Sequence, residues 1–161
     1  MTTRIIFLLS MIFIFTACNN DDDSSGGSDS GSFFQCKIDG QDYKITGETG
    51  AYAKKTGADL FVIYGSEDAT KQGFRNVYIG LTAEPSTGTY EITNNDVGSG
   101  SFLQPSTAVL YNSAFPGGSG KLIVTEKTAT NIKGTFEYVA PEASGATKKV
   151  ITGGSFDVII K

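Results

Sequence analysis

Thiols and carboxylates are the side chains in this sequence best suited to chemistry, because the chain contains no histidine. Without histidine, a Ser-His-Asp or Cys-His catalytic site and a histidine-ligated zinc site are excluded. Two carboxylates suffice for glycoside hydrolysis, and Glu137 and Asp157 occupy matching places in two predicted terminal strands. Strand alternation places both on the solvent side, so we expect an exposed polar face and keep a carboxylate-dependent hydrolase as the less favoured alternative. We predict no catalytic residues, no enzymatic activity, no bound metal and no cofactor.

Cys18 lies at the end of a short apolar run and directly before an acidic stretch. A positive charge at Arg4 precedes residues 5–15, which are apolar except for Ser10, and the small residues Thr16 and Ala17 follow them. This is the arrangement of a secretory signal. The run is shorter than the roughly 20 residues that span a bilayer. The sequence therefore predicts a signal peptide over residues 1–17 rather than a permanent transmembrane anchor.

The tetrapeptide Phe15-Thr16-Ala17-Cys18 resembles the lipobox of bacterial lipoproteins, with phenylalanine where that family prefers leucine. The resemblance implies that the thiol of Cys18 receives a diacylglycerol and that Cys18 becomes the first residue of the mature chain. It also implies two or three acyl chains, of the palmitate type, and two or more are needed for stable anchoring. We expect a membrane partner held through lipid on Cys18; the alternative is an ordinary signal with a chance cysteine nearby.

The residues after Cys18 also resemble the acidic export signal of surface lipoproteins of Bacteroidota, which here would be Asp21, Asp22 and Asp23. The resemblance implies a lipid-anchored outer-membrane protein that faces the cell exterior; the alternative is an acidic spacer on a periplasm-facing lipoprotein. Residues 19–32 are only Asn, Asp, Ser and Gly, so we expect residues 18–32 to form a flexible tether. Residues 33–161 have the size of one domain.

The acidity of the chain belongs to the tether rather than to the predicted domain. Of 17 acidic residues four precede Phe33, which leaves 13 against 12 basic ones from Phe33 onward. Such a balance offers no concentrated positive field, so we predict no nucleic-acid binding. With Cys18 lipidated, Cys36 has no disulfide partner, and we expect a buried small hydrophobe rather than a reactive thiol.

The domain is predicted to be all-β, an antiparallel sandwich or an up-and-down, lipocalin-like barrel of about eight to ten strands. Asp39-Gly40 between two extended runs indicates a type I′ hairpin. Alternation of Val77, Ile79 and Leu81 with other residues indicates a strand with one buried face. Residues 94–100 are predicted to form a polar loop, and two final strands carry Phe136 and Phe156 into the core.

Several short motifs resemble those of small β-rich surface lipoproteins of Bacteroidota, a family without an assigned activity. They are Cys-Lys-Ile-Asp-Gly-Gln at 36–41, Gly-Thr-Tyr at 88–90, Gly-Thr-Phe at 134–136 and Gly-Ser-Phe at 154–156. Because these are turn and core residues, the resemblance implies no catalytic or ligand-binding residues.

The predicted function is therefore a non-catalytic β domain on an envelope lipoprotein, for binding or structural interaction with an envelope protein or glycan. The alternative is a carrier of a small apolar ligand, in which inward residues such as Val77, Ile79, Leu81, Phe136 and Phe156 enclose a cavity. The seven tyrosines, which combine apolar area with a hydroxyl, are also candidates to line a ligand site. Most of them are expected to pack at the edge of the core: Tyr43, Tyr52, Tyr64, Tyr78, Tyr90, Tyr111 and Tyr138.

Overall fold

A computed structural model describes residues 31–57, 59–94 and 97–161. The predicted signal peptide, the lipidation site Cys18, the export signal Asp21 to Asp23 and most of the tether lie outside these residues. The described chain contains a single 3₁₀ turn at Pro105–Thr107, and no helix in it is long and apolar enough to cross a membrane. Ser32 already belongs to the domain, because it is buried and its Oγ accepts a hydrogen bond from the Ile159 N–H at 3.1 Å.

Twelve strands in the described residues form two antiparallel sheets, which confirms the all-β prediction. They are β1 (Phe33–Ile38), β2 (Gln41–Thr46), β3 (Ala51–Thr56), β4 (Leu60–Ser66), β5 (Asn76–Leu81), β6 (Gly88–Glu91), β7 (Thr93–Asn94), β8 (Gly98–Gln104), β9 (Val109–Asn112), β10 (Ser119–Lys127), β11 (Asn131–Pro141) and β12 (Lys148–Ile159). Sheet A has the order β2-β1-β12-β11-β10-β6, and sheet B has the order β3-β4-β5-β8-β7, with β9 beside β7 on the same edge of β8. The strand number exceeds the expected eight to ten because β3, β7 and β8 carry weak strand signals.

The sheets face each other as a sandwich and do not close into a barrel. They meet at two corners, through a parallel bridge from Ala53 to Ile160 and an antiparallel bridge from Tyr111 to Glu142. Between β6 and β7 the chain passes from sheet A to sheet B at Ile92, which is fully buried. This arrangement selects the sandwich from the two architectures that the sequence left open.

Local sequence determines the hairpins. Asp39 and Gly40 both have positive φ, 51° and 82°, as the type I′ turn between β1 and β2 requires. The connection between β4 and β5 is closed by Arg75, whose guanidinium donates to Glu67 Oε1 through Nε at 3.1 Å and Nη2 at 2.5 Å. Burial opposes ionisation of Glu67, but the hydrogen bonds and charge of Arg75 outweigh it and lower the pKa of this carboxyl.

Aromatic rings fill the space between the sheets by packing over glycines of the facing layer. A Cβ on Gly65 would lie 2.3 Å from the Phe34 ring, and one on Gly100 would lie 2.5 Å from the Tyr138 ring. As predicted, Phe136 and Phe156 are buried, and so are the inward residues of β5: Val77, Ile79 and Leu81. The five positions proposed to enclose a ligand cavity are therefore packed into the core with these rings.

Candidate binding face

The outward face of sheet A is occupied by ion pairs between neighbouring strands. Lys133 Nζ lies 3.3 Å from Asp157 Oδ2 and 3.4 Å from Glu126 Oε2, and Lys121 Nζ lies 3.8 Å from Glu137 Oε1. Each exposed pair contributes little to stability, typically below about 1 kcal/mol. Their presence nevertheless means that three acids of this face, Glu126, Glu137 and Asp157, lie beside a lysine ammonium.

The two carboxylates considered for hydrolysis are not brought together. Lys133 of β11, not Glu137, is the cross-strand partner of Asp157. Glu137 lies four residues further along the strand, which places its Cα about 13 Å from that of Lys133 at about 3.3 Å per residue. Glycosidase carboxylates are separated by roughly 5 to 9.5 Å. Both acids instead follow the predicted exposed polar face.

The outward face of sheet B carries three tyrosines side by side, which we call the tyrosine row: Tyr52 on β3, Tyr64 on β4 and Tyr78 on β5. The register pairs Tyr52 with Tyr64 and Tyr64 with Tyr78. Each lies between inward core residues, so strand alternation points it away from the core. The same line continues through Ser101 on β8 and Asn112 on β9.

The rings of the row pack on one another and are therefore held in place. Tyr52 and Tyr64 stack with centroids 4.7 Å apart and planes 20° apart, while Tyr64 and Tyr78 meet edge to face at 5.4 Å. The ammonium of Lys161 lies 4.3 Å from the centroid of the Tyr52 ring and donates to the Glu48 carbonyl. Such aromatic and cation–π contacts favour one orientation of side chains that are only partly buried.

The hydroxyls of the row differ from those of the other four tyrosines. Outside the row each hydroxyl is bonded within the domain: Tyr43 donates to the Gly65 carbonyl at 2.5 Å, Tyr90 to the Ser86 carbonyl at 2.8 Å and Tyr138 to the Ser101 carbonyl at 2.7 Å, and Tyr111 lies 3.1 Å from Thr147 Oγ1. Among the described residues, the hydroxyls of Tyr52, Tyr64 and Tyr78 have no protein partner. They are therefore available to hydrogen-bond water or a ligand.

Two tyrosines of the row, Tyr52 and Tyr78, retain their protons at neutral pH, and the row ends in a fixed polar group. Burial, together with the neighbouring tyrosine, raises the pKa of Tyr52 and of Tyr78, so both remain phenols that can donate. At the β9 end, Asn112 Nδ2 donates to Ser101 Oγ at 2.9 Å and to Ser99 Oγ at 3.3 Å. Asn112 Oδ1 accepts the Ala114 N–H at 2.7 Å, which sets the direction of the amide.

The rest of this face is nearly free of charge. The outward positions of β3, β4, β5, β8 and β9 carry one charged side chain, Lys54, and no carboxylate. Leu60 and Leu110, 42% and 44% exposed, lie on opposite sides of the tyrosine row. The two outer faces of the sandwich therefore differ in kind. The face of sheet A carries charged side chains in ion pairs, whereas the face of sheet B is aromatic, nearly free of charge and rich in hydroxyls.

The remaining candidates do not form a reactive or metal-binding site. As predicted, Cys36 is buried on β1, and burial raises the pKa of its thiol to about 12, so it is not a nucleophile at neutral pH. Within residues 31–57, 59–94 and 97–161, no group of three or more His, Cys, Asp or Glu side chains is arranged to hold a metal ion.

Comparisons with protein-family models, curated proteins and solved structures gave no match to this chain. The prediction that most of the tyrosines pack at the edge of the core is confirmed, since Tyr43, Tyr90, Tyr111 and Tyr138 lie in or against it. The tyrosine row is the exception, because it lies on the outward face of sheet B. Alternation around Tyr78, between the buried Val77 and Ile79, was the available signal. The pairing of three strands that assembles the row is not visible in any one of them.

Proposed function

We propose that this chain is an envelope lipoprotein, anchored in the outer membrane through lipid on Cys18 and facing the cell exterior. We further propose that its β-sandwich is a non-catalytic binding module that acts through the tyrosine row. The anchor rests on the signal, lipobox and acidic export patterns of the sequence. The observation that carries the binding role is the set of three adjacent tyrosines whose hydroxyls have no protein partner among the described residues.

Binding through this face has a physical rationale. Tyrosine supplies a large contact area and a hydrogen bond while losing few rotatable bonds, and protein binding surfaces are enriched in it. Stacking already restricts the rings of Tyr52 and Tyr64, so less conformational entropy is lost on binding. The charged face of sheet A offers no such preorganised area, because its long side chains pair with each other.

Metabolic labelling with a palmitate analogue tests the anchor. We expect label on the wild-type chain and none on Cys18→Ala, which should also leave the membrane fraction. Cys36→Ala is the matched control and should remain labelled, because Cys36 lies in the core. Label on Cys18→Ala, or its retention in membranes, would show that the anchor assignment is wrong.

Protease treatment of intact cells tests the direction in which the domain faces. The wild-type domain should be cleaved, whereas replacing Asp21, Asp22 and Asp23 by alanine should make it protected. Replacing the same three by glutamate keeps the charge and should leave the domain accessible. If the alanine variant stays accessible, the acidic run is only a spacer.

Hydroxyl-radical footprinting read by mass spectrometry tests the binding face without knowledge of the ligand. Oxidation of Tyr64 and Tyr78 should be lower for the protein on intact cells than for the purified full-length protein. Tyr90, which lies off the row on β6, is the internal control and should be oxidised equally in both samples. Equal oxidation of the row in both samples would contradict binding through this face.

A further inference from the structure

The chemistry of the tyrosine row indicates which class of ligand it fits. We propose that the row binds a neutral glycan chain that lies across the strands from β3 to β9. The inference deepens the proposed function and depends on it. It is carried by four properties of the face: its near absence of charge, its tyrosine hydroxyls without a protein partner among the described residues, the open space at Gly80 and its extent.

The first property is charge, because the charge of a ligand must complement that of the surface that it covers. An acidic polymer needs lysines or arginines and a basic peptide needs carboxylates, whereas the outward strand positions offer only Lys54. A second ammonium, that of Lys161, lies over the Tyr52 ring and is bonded to the Glu48 carbonyl. A charged ligand would lose hydration here without gaining matched partners, so the face favours a neutral one.

The second property is the hydrogen-bonding capacity of the tyrosine hydroxyls, which disfavours an apolar ligand. Covering the hydroxyls of Tyr52, Tyr64 and Tyr78 with hydrocarbon would remove their water and give them no partner. A polyhydroxylated ligand can donate to and accept from each phenol and from the Ser99, Ser101 and Asn112 group. The hydroxyls of such a ligand, like those of the face, both donate and accept hydrogen bonds, so the two can satisfy each other.

The shape of the face beside the row suits a ligand with both hydroxyl edges and apolar C–H surfaces. Gly80 lies between Val62 and Ser99 in the register, directly beside Tyr78. A Cβ on Gly80 would meet only Leu60 Cδ1, at 3.8 Å, so the glycine leaves a shallow apolar hollow. The C–H face of a sugar ring could rest in this hollow while its hydroxyls reach the tyrosines.

The extent of the row favours a chain over a single sugar. From Tyr52 on β3 to Asn112 on β9 there are four strand spacings, about 19 Å at about 4.8 Å each. A monosaccharide would contact only part of this line. Because the line crosses the sheet face rather than following an edge strand, backbone pairing with an extended peptide is not the geometry that it offers.

Affinity electrophoresis of the full-length protein in a detergent without a sugar headgroup tests the proposal. The probes are neutral polysaccharides (mannan, xylan, amylopectin and laminarin), with alginate as the anionic comparison. We expect at least one neutral polysaccharide to retard the protein and alginate not to do so. The double variant Tyr64→Phe, Tyr78→Phe should bind that polysaccharide about tenfold more weakly or worse, since two hydrogen bonds are lost.

Two further variants separate the binding face from the fold. Tyr111→Phe removes a hydroxyl that is bonded to Thr147 and should bind as the wild type does. Gly80→Val fills the hollow with a residue that favours strands and should weaken binding while the protein stays folded. Circular dichroism should show the same unfolding midpoint for the tyrosine double variant as for the wild type.

The proposal is overturned if none of the neutral polysaccharides retards the protein, if only alginate does, or if the double variant binds unchanged. Footprinting on intact cells distinguishes failure of the glycan proposal from failure of the proposed binding function. Protection of the tyrosine row on cells without polysaccharide binding would leave the proposed function standing and reject the glycan, in favour of a protein partner. Absence of both protection and polysaccharide binding would reject both.

Discussion

Removing single tyrosine hydroxyls should separate the interior tyrosines from the tyrosine row. Tyr138→Phe deletes a hydroxyl that donates to the Ser101 carbonyl at 2.7 Å from a residue only 3% exposed. Tyr78→Phe deletes a hydroxyl without a protein partner among the described residues. Both changes remove a hydroxyl oxygen and keep the ring. The difference between their effects on the unfolding free energy therefore reports the hydrogen bond to the Ser101 carbonyl rather than the packing of the ring.

The expected magnitudes follow from burial. The Ser101 carbonyl would lose a buried donor, which costs about 1–2 kcal/mol of unfolding free energy. For a domain of this size that corresponds to a fall in the melting temperature of roughly 3–10 °C. Tyr78→Phe should change the unfolding free energy by less than about 0.5 kcal/mol, because its hydroxyl exchanges only with water.

Urea unfolding followed by circular dichroism near 215 nm is the suitable assay, since the chain has no tryptophan to report by fluorescence. If the unfolding free energy falls with urea concentration at the same slope for the wild type and both variants, their midpoint urea concentrations can be compared directly. If Tyr78→Phe cost as much as Tyr138→Phe, the row hydroxyls would be bonded in the folded protein, and the argument for a binding face would lose its basis. If neither variant lost stability, the interior bond of Tyr138 would not form.

Three other perturbations test separate parts of the structure. Cys36, with a thiol pKa of about 12, should react with Ellman's reagent only after unfolding; rapid reaction of the native protein would contradict its burial. Glu67→Gln should lower the unfolding free energy by about 1–2 kcal/mol at pH 7, since it weakens charged hydrogen bonds. The pKa of Glu67 in the folded protein lies below its usual 4.5, so the wild type should exceed the variant in unfolding free energy by the full amount above pH 4.5. This difference in unfolding free energy should vanish as the pH falls through the lowered pKa, and a difference that persists in acid would refute the ion pair. Gly65→Ala would place a Cβ 2.3 Å from the Phe34 ring, and this overpacking should lower the unfolding free energy by about 1–3 kcal/mol. Gly80→Ala is the control: its Cβ would have its nearest contact at 3.8 Å, so the unfolding free energy should not fall. Urea unfolding measures both.

Strong local signals made parts of the fold predictable. The turn at Asp39-Gly40 needs positive φ at both residues, a requirement that glycine meets freely and aspartate tolerates, so the hairpin followed from two residues. Alternation at Val77, Ile79 and Leu81 gave the buried face of β5 directly. Such features depend on neighbours in sequence, and they appear in the structure where they were expected.

Strand β8 was predicted wrongly in part, because residues 94–100 were interpreted as a polar loop. Glycines 98 and 100 have weak intrinsic strand preference, yet they lie in the interior of sheet B. The ring of Tyr138 packs over Gly100, a site where a Cβ would lie 2.5 Å from that ring. The reason for glycine there is a contact with a residue 38 positions away, which local propensity does not contain.

The sequence by itself determined the all-β class, the hairpin at Asp39-Gly40, the near neutrality of the domain and the exclusion of histidine chemistry, because composition and local backbone preference suffice for these. The tertiary structure alone decided between sandwich and barrel, and it alone assembled the tyrosine row. Tyr52, Tyr64 and Tyr78 become neighbours only when β3, β4 and β5 pair in one register, a choice governed by packing between the two sheets. Which tyrosine hydroxyls find a partner is likewise settled by that packing, and not by the residues beside them in the chain.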